Sequence, residues 1–277
     1  MDWDHLHRQL IETLRMFSTS EEALAEARVW LEDGFGKGQS WLTLHGHDRV
    51  SLDDQYQFHI WLERRKRREP CQYLWGKTTF RNRLFKCDSR VLIPRPETEL
   101  LIEESLARRS AETPIQVWDV GTGSGIIAVT LALETRWTLT AADISQEALT
   151  CAQENILHHR VAVQSINSDL LREAPPSLDL VVSNLPYVAF ETRDQLQPEL
   201  HFEPALALYA SEEGYALVKR LLKEGYDRSI PLMILEIGAG QAKQIQILSH
   251  DLGWPRVETT CDWNGHDRIL VVEQPRP

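Results

Sequence analysis

The chain has 277 residues, of which 42% are hydrophobic and 26% are charged, and its formal net charge is −11. This length and composition allow a large buried core without disulfides or metal, in one catalytic domain with a smaller additional domain. The negative charge disfavours a protein whose whole surface is built to hold nucleic acid.

The cysteines and the first residues of the chain favour a cytoplasmic location. The four cysteines are scattered and form no C-x-x-C pair, so we expect reduced thiols and no metal site. The first residues, MDWDHLHRQL, lack the basic start and apolar run of a signal peptide. No apolar stretch reaches the ~20 residues of a membrane span. We therefore expect a cytoplasmic protein without a membrane segment.

Residues 1–75 are predicted to form a helical bundle domain. Apolar residues recur at helical spacing in the segments LHRQLIETLRMF, EEALAEARVWLEDGF and YQFHIWLERRKRR. The residues Ser18–Ser20 precede two glutamates, which is typical of a helix start. The third segment runs into five consecutive basic residues, 64–68. For these, a partner-binding patch and a solvated helix end both remain open.

The pattern changes after this bundle. Residues 76–93 alternate aromatic, Thr and Val residues with polar ones, which predicts a β-hairpin that connects two domains. From 94 to 277, apolar strand-like runs alternate with helical segments. This alternation predicts an α/β domain with a mostly parallel sheet, whose ligands bind at the carboxyl ends of the strands. The strand-like runs are IQVWDV, TLTAAD, LDLVVSNLP, MILEIGAG and RILVVE.

A glycine loop follows the first of these strands and opens a helix. Gly121, Gly123 and Gly125 allow a tight turn and a close approach of the backbone to a ligand. A dinucleotide fingerprint would need glycine at Ile126, and a phosphate-binding P-loop would need a lysine. The loop therefore favours a small nucleoside ligand over a pyrophosphate. The alternative is a strand-to-helix turn without a ligand.

Two acidic residues accompany the loop. Asp143 ends the next strand, about 20 residues further on, where an acid commonly binds the ribose hydroxyls. Asp119, directly before the loop, could orient a charged end of the ligand or accept hydrogen bonds from loop N–H groups. Both roles of Asp119 stay open.

The most informative segment is Asn184-Leu185-Pro186-Tyr187, at the end of a predicted strand. The Asn184 side-chain oxygen can accept one N–H of a planar substrate nitrogen, and the Leu185 carbonyl can accept the other. Pro186 favours an extended Leu185, which helps to aim that carbonyl. Tyr187 offers a flat face to a planar group. A proline turn without function is the alternative.

These features resemble the protein-(glutamine-N5) methyltransferases that modify peptide chain release factors. The resemblance runs from about residue 60 to 273, and IPRPETE (93–99) is its most specific motif. The other motifs are REPCQYLWG, DVGTGSG, ADISQEAL, SDL, SNLPYV, EPALAL, EIGAGQ and GHDRILVV. We read EIGAGQ as a strand end and turn rather than a second ligand loop.

The resemblance implies a fold, a cofactor and a substrate. The fold is a seven-stranded, mostly parallel, Rossmann-like class I methyltransferase sheet whose last strand is antiparallel, with an N-terminal helical domain that helps to recognise the release factor. The cofactor is S-adenosyl-L-methionine, and the target is the glutamine of a Gly-Gly-Gln loop. The expected protein is a monomer that does not require nucleic acid.

The resemblance also assigns residues. Those expected to bind the methionine end of the cofactor are Gly121, Thr122, Gly123, Ser124 and Gly125. Asp143 is assigned to the ribose, and Leu170 beside Asp169 to the adenine. The residues expected to bind the glutamine and position it for catalysis are Asn184, Leu185, Pro186 and Tyr187, and Asn184 is also counted with the cofactor site.

Some positions depart from the family pattern or lack a role. The usual family motif is Asn-Pro-Pro-Tyr, and Leu185 replaces its first proline, which keeps the carbonyl and loses a fixed φ. Two positions that match the family, Glu203 and Arg268, have no physical role that the sequence reveals. The charged residues of IPRPETE could line the cofactor cleft or tie the hairpin to the core. They are Arg95, Glu97 and Glu99.

Two other functions stay open. Asn-Leu-Pro-Tyr also occurs in enzymes similar to the ribosomal RNA adenine dimethylases, so the alternative is an N6-adenine methyltransferase that acts on RNA or DNA. IPRPETE, the helical domain and the negative charge favour a protein glutamine instead. The third reading is a binding module that keeps the fold without catalysis.

Overall fold

A computed structural model describes residues 1–275 of the chain. The chain divides into two compact units, the first of which is Met1–Gly76 and the second of which begins at Lys77. Within the described residues, no helix is both long and apolar enough to span a membrane.

The first unit is an all-helical bundle, as predicted. Its helices are α1 (Trp3–Leu14), α2 (Ser20–Phe35), α3 (Gln39–His45), α4 (Leu52–Lys66) and α5 (Cys71–Trp75). Thr19 and Glu22 form a capping box that starts α2, because each side chain accepts a hydrogen bond from a backbone N–H that the helix leaves unpaired. Buried aromatic rings fill the core, including Trp30 and Phe58, whose centroids lie 5.0 Å apart.

The basic run at the end of α4 is not one exposed patch. The Arg65 side chain is 7% exposed, and its Nε lies 2.6 Å from Glu26 Oε1. Arg64 forms an ion pair with Glu69. The side chains of this run therefore have individual environments, and two of them stabilise the bundle through carboxylates of the same unit.

The second unit begins with a β-hairpin. The strands β1 (Lys77–Phe80) and β2 (Arg83–Lys86) are antiparallel. Glu99 Oε1 accepts a hydrogen bond from the backbone N–H of Arg81 in the hairpin turn. The charged residues of IPRPETE were expected either to line the cofactor cleft or to tie the hairpin to the core. Glu99 therefore has the second, structural role.

The remaining elements alternate between helices and strands. In chain order they are α6 (Glu99–Arg108), β3 (Gln116–Val120), α7 (Ile126–Glu134), β4 (Thr138–Asp143), α8 (Gln146–His159), β5 (Val163–Asn167), β6 (Leu180–Asn184), β7 (Val188–Ala189), α9 (Ala205–Leu208), β8 (Tyr209–Ala210), α10 (Ala216–Asp227), β9 (Leu232–Glu236), α11 (Ala242–Asp251), β10 (Arg256–Cys261) and β11 (Asp267–Glu273).

Seven strands form one sheet in the order β10-β11-β9-β6-β3-β4-β5. β11 is antiparallel to both of its neighbours, and the other strand pairs are parallel. The predicted seven-stranded methyltransferase sheet with an antiparallel last strand is confirmed. The chain continues from β3 to β4 on one side and later returns to β6 on the other, so the carboxyl ends of β3 and β6 flank a switch point where ligands bind in such sheets.

The core lies on both faces of this sheet. In β9, Leu232 and Ile234 pack in one buried cluster with residues of α6, α7 and α8. Met233 and Leu235 pack in the other cluster, with residues of α10 and α11. Successive side chains point to opposite faces, so a strand covered on both faces has a continuous apolar sequence. This packing fixes the strand ends that carry the site.

Candidate active site

A large cleft lies at the carboxyl ends of β3, β4 and β6 and opens to solvent. Of the twelve residues predicted for the site, ten line this cleft. They are Gly121, Thr122, Gly123, Ser124, Asp143, Asp169, Leu170, Asn184, Leu185 and Pro186. The other two, Gly125 and Tyr187, lie outside its lining.

The glycine loop has a conformation that favours glycine. The φ angles of Gly121, Gly123 and Gly125 are +69°, +54° and +78°, in the left-handed region that other residues rarely adopt. A Cβ at Gly123 would meet nothing within 4 Å. At Gly125 it would lie 3.1 Å from Ala152 Cβ on α8. Gly123 therefore leaves the cleft open, whereas Gly125 permits close helix packing.

Asp143 holds the loop from the next strand. Its Oδ2 accepts a hydrogen bond from Gly123 N (2.9 Å), and its Oδ1 accepts one from Ser145 N (2.8 Å). Burial raises the pKa of this carboxyl. Each carboxylate oxygen has two acceptor sites, so Asp143 can also accept hydroxyl groups of a ligand in the cleft.

Asp119 lies beneath the loop and is fully buried. Its Oδ2 accepts hydrogen bonds from Thr122 Oγ1 (2.6 Å) and Ala128 N (3.2 Å), which favours the capping role over direct contact with a ligand. Within the described chain, Oδ1 of Asp119 has no hydrogen-bond partner. Burial raises the pKa of Asp119 to about 7.

Asp169 and Leu170 lie at another wall of the cleft. Asp169 forms an ion pair with Arg220, whose Nη2 lies 2.9 Å from Asp169 Oδ2. Leu170 has a φ of +52°, and its side chain is 5% exposed. Leu170 contributes an apolar residue to the lining of the cleft, to which Arg220 also belongs.

Asn184 ends β6 directly opposite Glu236 of β9, because the two are register partners in the sheet. Its Nδ2 donates hydrogen bonds to Glu236 Oε2 (2.9 Å) and to Thr98 Oγ1 (3.1 Å). Thr98 Oγ1 in turn donates to Glu236 Oε2 (2.7 Å). Asn184 lines the cleft, and within residues 1–275 its Oδ1 accepts no hydrogen bond, so that oxygen is available to a ligand.

Tyr187 belongs to the same network but not to the cleft. Its hydroxyl donates a hydrogen bond to Glu236 Oε1 (3.2 Å), and burial raises its pKa far above the usual range. The ring lines a small adjoining cavity with Glu236 and Gln241. Gln241 Nε2 donates to the Tyr187 carbonyl (3.2 Å). The backbone after Pro186 is therefore held by Gln241.

Sequence reasoning missed Glu236 and Thr98, which connect these residues. Glu236 is 4% exposed, and burial raises its pKa to about 6. The available signal was its position as the last residue of a predicted strand in EIGAGQ, where parallel strands bring functional groups together. Thr98 lies in IPRPETE, the motif most specific to the resemblance.

A second contact that sequence reasoning missed explains the structural roles of Arg95 and Glu203. Glu203, whose side chain is 1% exposed, forms an ion pair with Arg95. The other oxygen of Glu203 accepts a hydrogen bond from Ile93 N (2.9 Å). Glu203 therefore attaches the IPRPETE segment to the residues before Pro204, which also lines the cleft. Arg268 binds Asp262 (3.2 Å) and donates to the carbonyl of Ile237, directly after Glu236.

Comparisons with known proteins identify the family. The family model "Methyltransferase small domain" matches residues 96–206, and "PrmC N-terminal domain" matches residues 6–76. The chain is 35% identical to the release factor glutamine methyltransferase of Lactococcus lactis, over 91% of this chain and 98% of that protein. The chain belongs to the release factor glutamine methyltransferase family.

Other members agree. The Streptococcus pneumoniae enzyme is 40% identical over 74% of this chain and 75% of its own length. The enzyme of Salmonella typhimurium is 31% identical over 97% and 98%. Among solved structures, the human hMettl16 catalytic domain has a TM-score of 0.58 at 13% identity, over 99% of this chain and 91% of that one. That likeness concerns the fold.

As a member of this family the protein is an S-adenosyl-L-methionine-dependent methyltransferase, and the cleft fits this cofactor. Gly123 leaves space at the loop, Asp143 offers carboxylate acceptors, and Leu170 offers an apolar surface. These groups suit a charged amino acid end, a ribose and a base, respectively. Among the described residues, no cluster of His, Cys, Asp or Glu is placed to hold a metal ion.

Proposed function

We propose that this protein methylates the N5 amide nitrogen of the glutamine in the Gly-Gly-Gln motif of peptide chain release factors. The relatives named release factor glutamine methyltransferase support this substrate. The observation that carries the proposal is the Asn184 amide at the cleft. Its nitrogen is occupied by Glu236 and Thr98, and its oxygen remains available to accept a substrate N–H.

The cofactor residues have the following proposed roles. Gly121–Gly125, with Thr122 and Ser124, surround the methionine end, and Asp143 accepts the ribose hydroxyls. Leu170 packs near the adenine, and Asp169 is held beside it by Arg220. When bound, S-adenosyl-L-methionine supplies an electrophilic methyl group on a positively charged sulfur.

The substrate amide is held by Asn184 and the residue after it. An amide nitrogen is a weak nucleophile because its lone pair is delocalised. We assign one amide N–H to Asn184 Oδ1 and the other to the Leu185 carbonyl, so that both hydrogens lie in one plane and the lone pair faces the methyl group. Positioning of this kind can provide much of a rate enhancement. The nitrogen gains the methyl group and loses one proton, which the open cleft can pass to water.

Pro186 and Tyr187 complete this arrangement. Pro186 keeps Leu185 extended, and Tyr187 provides the planar surface expected beside the amide. Because the Tyr187 ring borders the adjoining cavity, stacking on the glutamine requires access from that side. The tyrosine also anchors the segment through Glu236.

The domain arrangement is part of the proposal. Residues 1–75 recognise the substrate protein, and residues 94–277 catalyse the methyl transfer. Residues 76–93 form the hairpin that connects these two domains. The match of residues 6–76 to the PrmC N-terminal domain supports this division. A monomeric protein that needs no nucleic acid is also part of the proposal. Because its substrate acts on ribosomes, we place the activity in the cytoplasm.

A methyl-transfer assay with radiolabelled cofactor tests the substrate. Purified release factor and ribosomal RNA are offered side by side, together with a release factor whose Gly-Gly-Gln glutamine is replaced by alanine. We expect label on the release factor and none on the alanine control.

The same assay tests the alternative. Asn-Leu-Pro-Tyr is also the form in enzymes similar to adenine dimethylases, so label on RNA alone would mean an N6-adenine methyltransferase. Cofactor binding without any transfer would instead indicate a binding module.

A further inference from the structure

We propose that Glu236 is a positioning residue for methyl transfer, because its carboxylate holds the Asn184 amide with the nitrogen inward and the oxygen toward the substrate. The proposal rests on the proposed function of the cleft, and it adds a residue that does not itself contact the methyl acceptor. Glu236 does not line the cleft.

The chemistry of a carboxylate decides which way the amide faces. The two ends of an Asn amide have similar shapes, so its orientation follows from its hydrogen-bond partners. An ionised carboxylate only accepts hydrogen bonds. Glu236 Oε2, 2.9 Å from the amide, therefore requires the NH₂ group on its side. A reversed amide would bring two acceptor oxygens together and present a donor to the substrate.

Thr98 also favours this orientation of the Asn184 amide. Its hydroxyl has one hydrogen, which it donates to Glu236 Oε2 (2.7 Å). The lone pairs of the same oxygen then face Asn184 Nδ2 at 3.1 Å. Thr98 thus acts as a second acceptor for the amide only because Glu236 takes its hydrogen. Asn184 Nδ2 thus faces two acceptors, and Oδ1 is left for the cleft.

The other oxygen of Glu236 accepts the Tyr187 hydroxyl at 3.2 Å. One buried carboxylate therefore binds the first and last residues of the Asn184–Tyr187 segment. The main chain between them carries the Leu185 carbonyl, the second proposed acceptor for the substrate. Glu236 consequently sets the spacing of the two acceptors as well as the direction of the first.

Two substitutions separate positioning from a merely structural role. Glu236→Gln keeps an oxygen that can accept from Asn184 and Thr98, and its NH₂ can donate to the Tyr187 oxygen. We expect it to retain kcat within about threefold, as a conservative rescue. Glu236→Met keeps the volume and removes both acceptors. We expect kcat to fall about 10²-fold, the size of effect that a small misplacement of reacting groups can cause.

The affinity for the cofactor is the internal reference against which the losses of kcat are compared. The cofactor Kd, measured by calorimetry, should change less than threefold in both variants, because the glycine loop and Asp143 have no hydrogen bond to Glu236 within the described residues. Combining Glu236→Met with Asn184→Ala should cost less activity than the product of the two separate losses, since Glu236 acts in part through Asn184. Unchanged kcat in Glu236→Met, or equal losses of kcat and cofactor affinity, would overturn the proposal.

Glu97→Met is the matched control. Glu97 is a half-buried carboxylate whose charge acts on Glu236, and it neighbours Thr98. It makes no hydrogen bond to Asn184 within residues 1–275. Its removal should leave kcat within twofold. If Glu236→Met does not fold, Thr98→Val replaces it. That variant removes the second acceptor, and kcat should fall at least fivefold at unchanged cofactor Kd; no fall would overturn the proposal.

A spectroscopic measurement separates this proposal from the proposed function. The side-chain amide signals of Asn184, observed by NMR, should shift far more in Glu236→Met or Thr98→Val than in Glu97→Met. If wild-type protein methylates no release factor but these signals shift, only the substrate assignment fails. If wild-type protein is active and the signals remain unchanged, the positioning role of Glu236 fails.

Discussion

The Leu185 side chain packs directly against Gly121: a Cβ at Gly121 would lie 3.1 Å from Leu185 Cδ2. This contact joins the glycine loop to the Asn184–Tyr187 segment. Gly121 also has a φ of +69°, which costs other residues about 1–2 kcal/mol. We therefore expect Gly121→Ala to weaken cofactor binding at least ~10-fold, a change of about 1.4 kcal/mol, in calorimetric titrations.

Gly265→Ala is the control for Gly121→Ala. Gly265 has a similar φ of +80°, and a Cβ there would meet nothing within 4 Å. Gly265→Ala introduces a similar backbone strain but no contact with Leu185, so the cofactor affinity of this variant should be unchanged. Equal losses in the two variants would show that the Leu185 contact is irrelevant.

Replacing Leu185 by proline restores the usual family motif. The carbonyl persists, and within the described chain the Leu185 N–H has no backbone hydrogen bond to lose. A proline that fits its site changes energies by about 0.4–1 kcal/mol, so kcat should change less than about fivefold. The measurement is the steady-state rate with release factor, with Leu185→Ala as the control for loss of the buried side chain. A loss as large as that of Asn184→Ala would contradict this expectation.

Asn184→Ala removes the proposed acceptor for the substrate amide. Loss of one positioned hydrogen-bonding group in an active site typically costs about 10²–10³-fold in kcat. We expect a loss of this size, whereas cofactor affinity should change little. Single-turnover rates and calorimetric titrations measure the two quantities separately. Near-normal turnover would exclude the mechanism.

The Arg95–Glu203 pair should stabilise the catalytic unit. Arg95→Met leaves the Glu203 carboxylate, 1% exposed, with the Ile93 N–H alone. Breaking a buried pair costs about 3–5 kcal/mol, and because Arg95 is 32% exposed we expect about 2 kcal/mol. Urea unfolding measures the loss.

The exposed Arg136–Glu112 pair supplies the comparison for Arg95→Met. Its side chains are 72% and 76% exposed, and Arg136→Met should cost less than about 1 kcal/mol. Equal effects of the two substitutions would mean that burial of Glu203 contributes nothing.

Asp119 should make stability depend on pH. Its pKa in the folded protein is about 7, against an ordinary value of 3.8, so folding favours the protonated form. The resulting penalty is absent below pH ~4, grows as the pH rises and is complete above about 7. Asp119→Asn does not titrate. Relative to wild type, its free energy of unfolding should therefore rise between pH 5 and 8, by at most ~4 kcal/mol. A constant difference in urea unfolding would refute this.

Local patterns predicted much of the fold. The glycine loop, the acid at the end of the next strand and the Asn184–Tyr187 segment are each defined by residues adjacent in sequence, and the structure brings them to one edge of the sheet. The basic run 64–68 was harder to interpret. Arg65 is buried because Glu26, on another helix, provides a partner, and no local pattern reveals that pairing.

By itself, the sequence determined the helical first unit, the mostly parallel sheet, the glycine loop and the family, because these depend on periodicity, on glycine φ preferences and on contiguous motifs. Only the tertiary structure decided how Thr98, Asn184 and Glu236 act together. These residues lie 52 to 138 positions apart. Their contact requires β6 and β9 to be neighbours in a register that pairs Asn184 with Glu236. A shift of that register by one residue would place Asn184 opposite Leu235 or Ile237, neither of which carries a carboxylate, and the network would be lost.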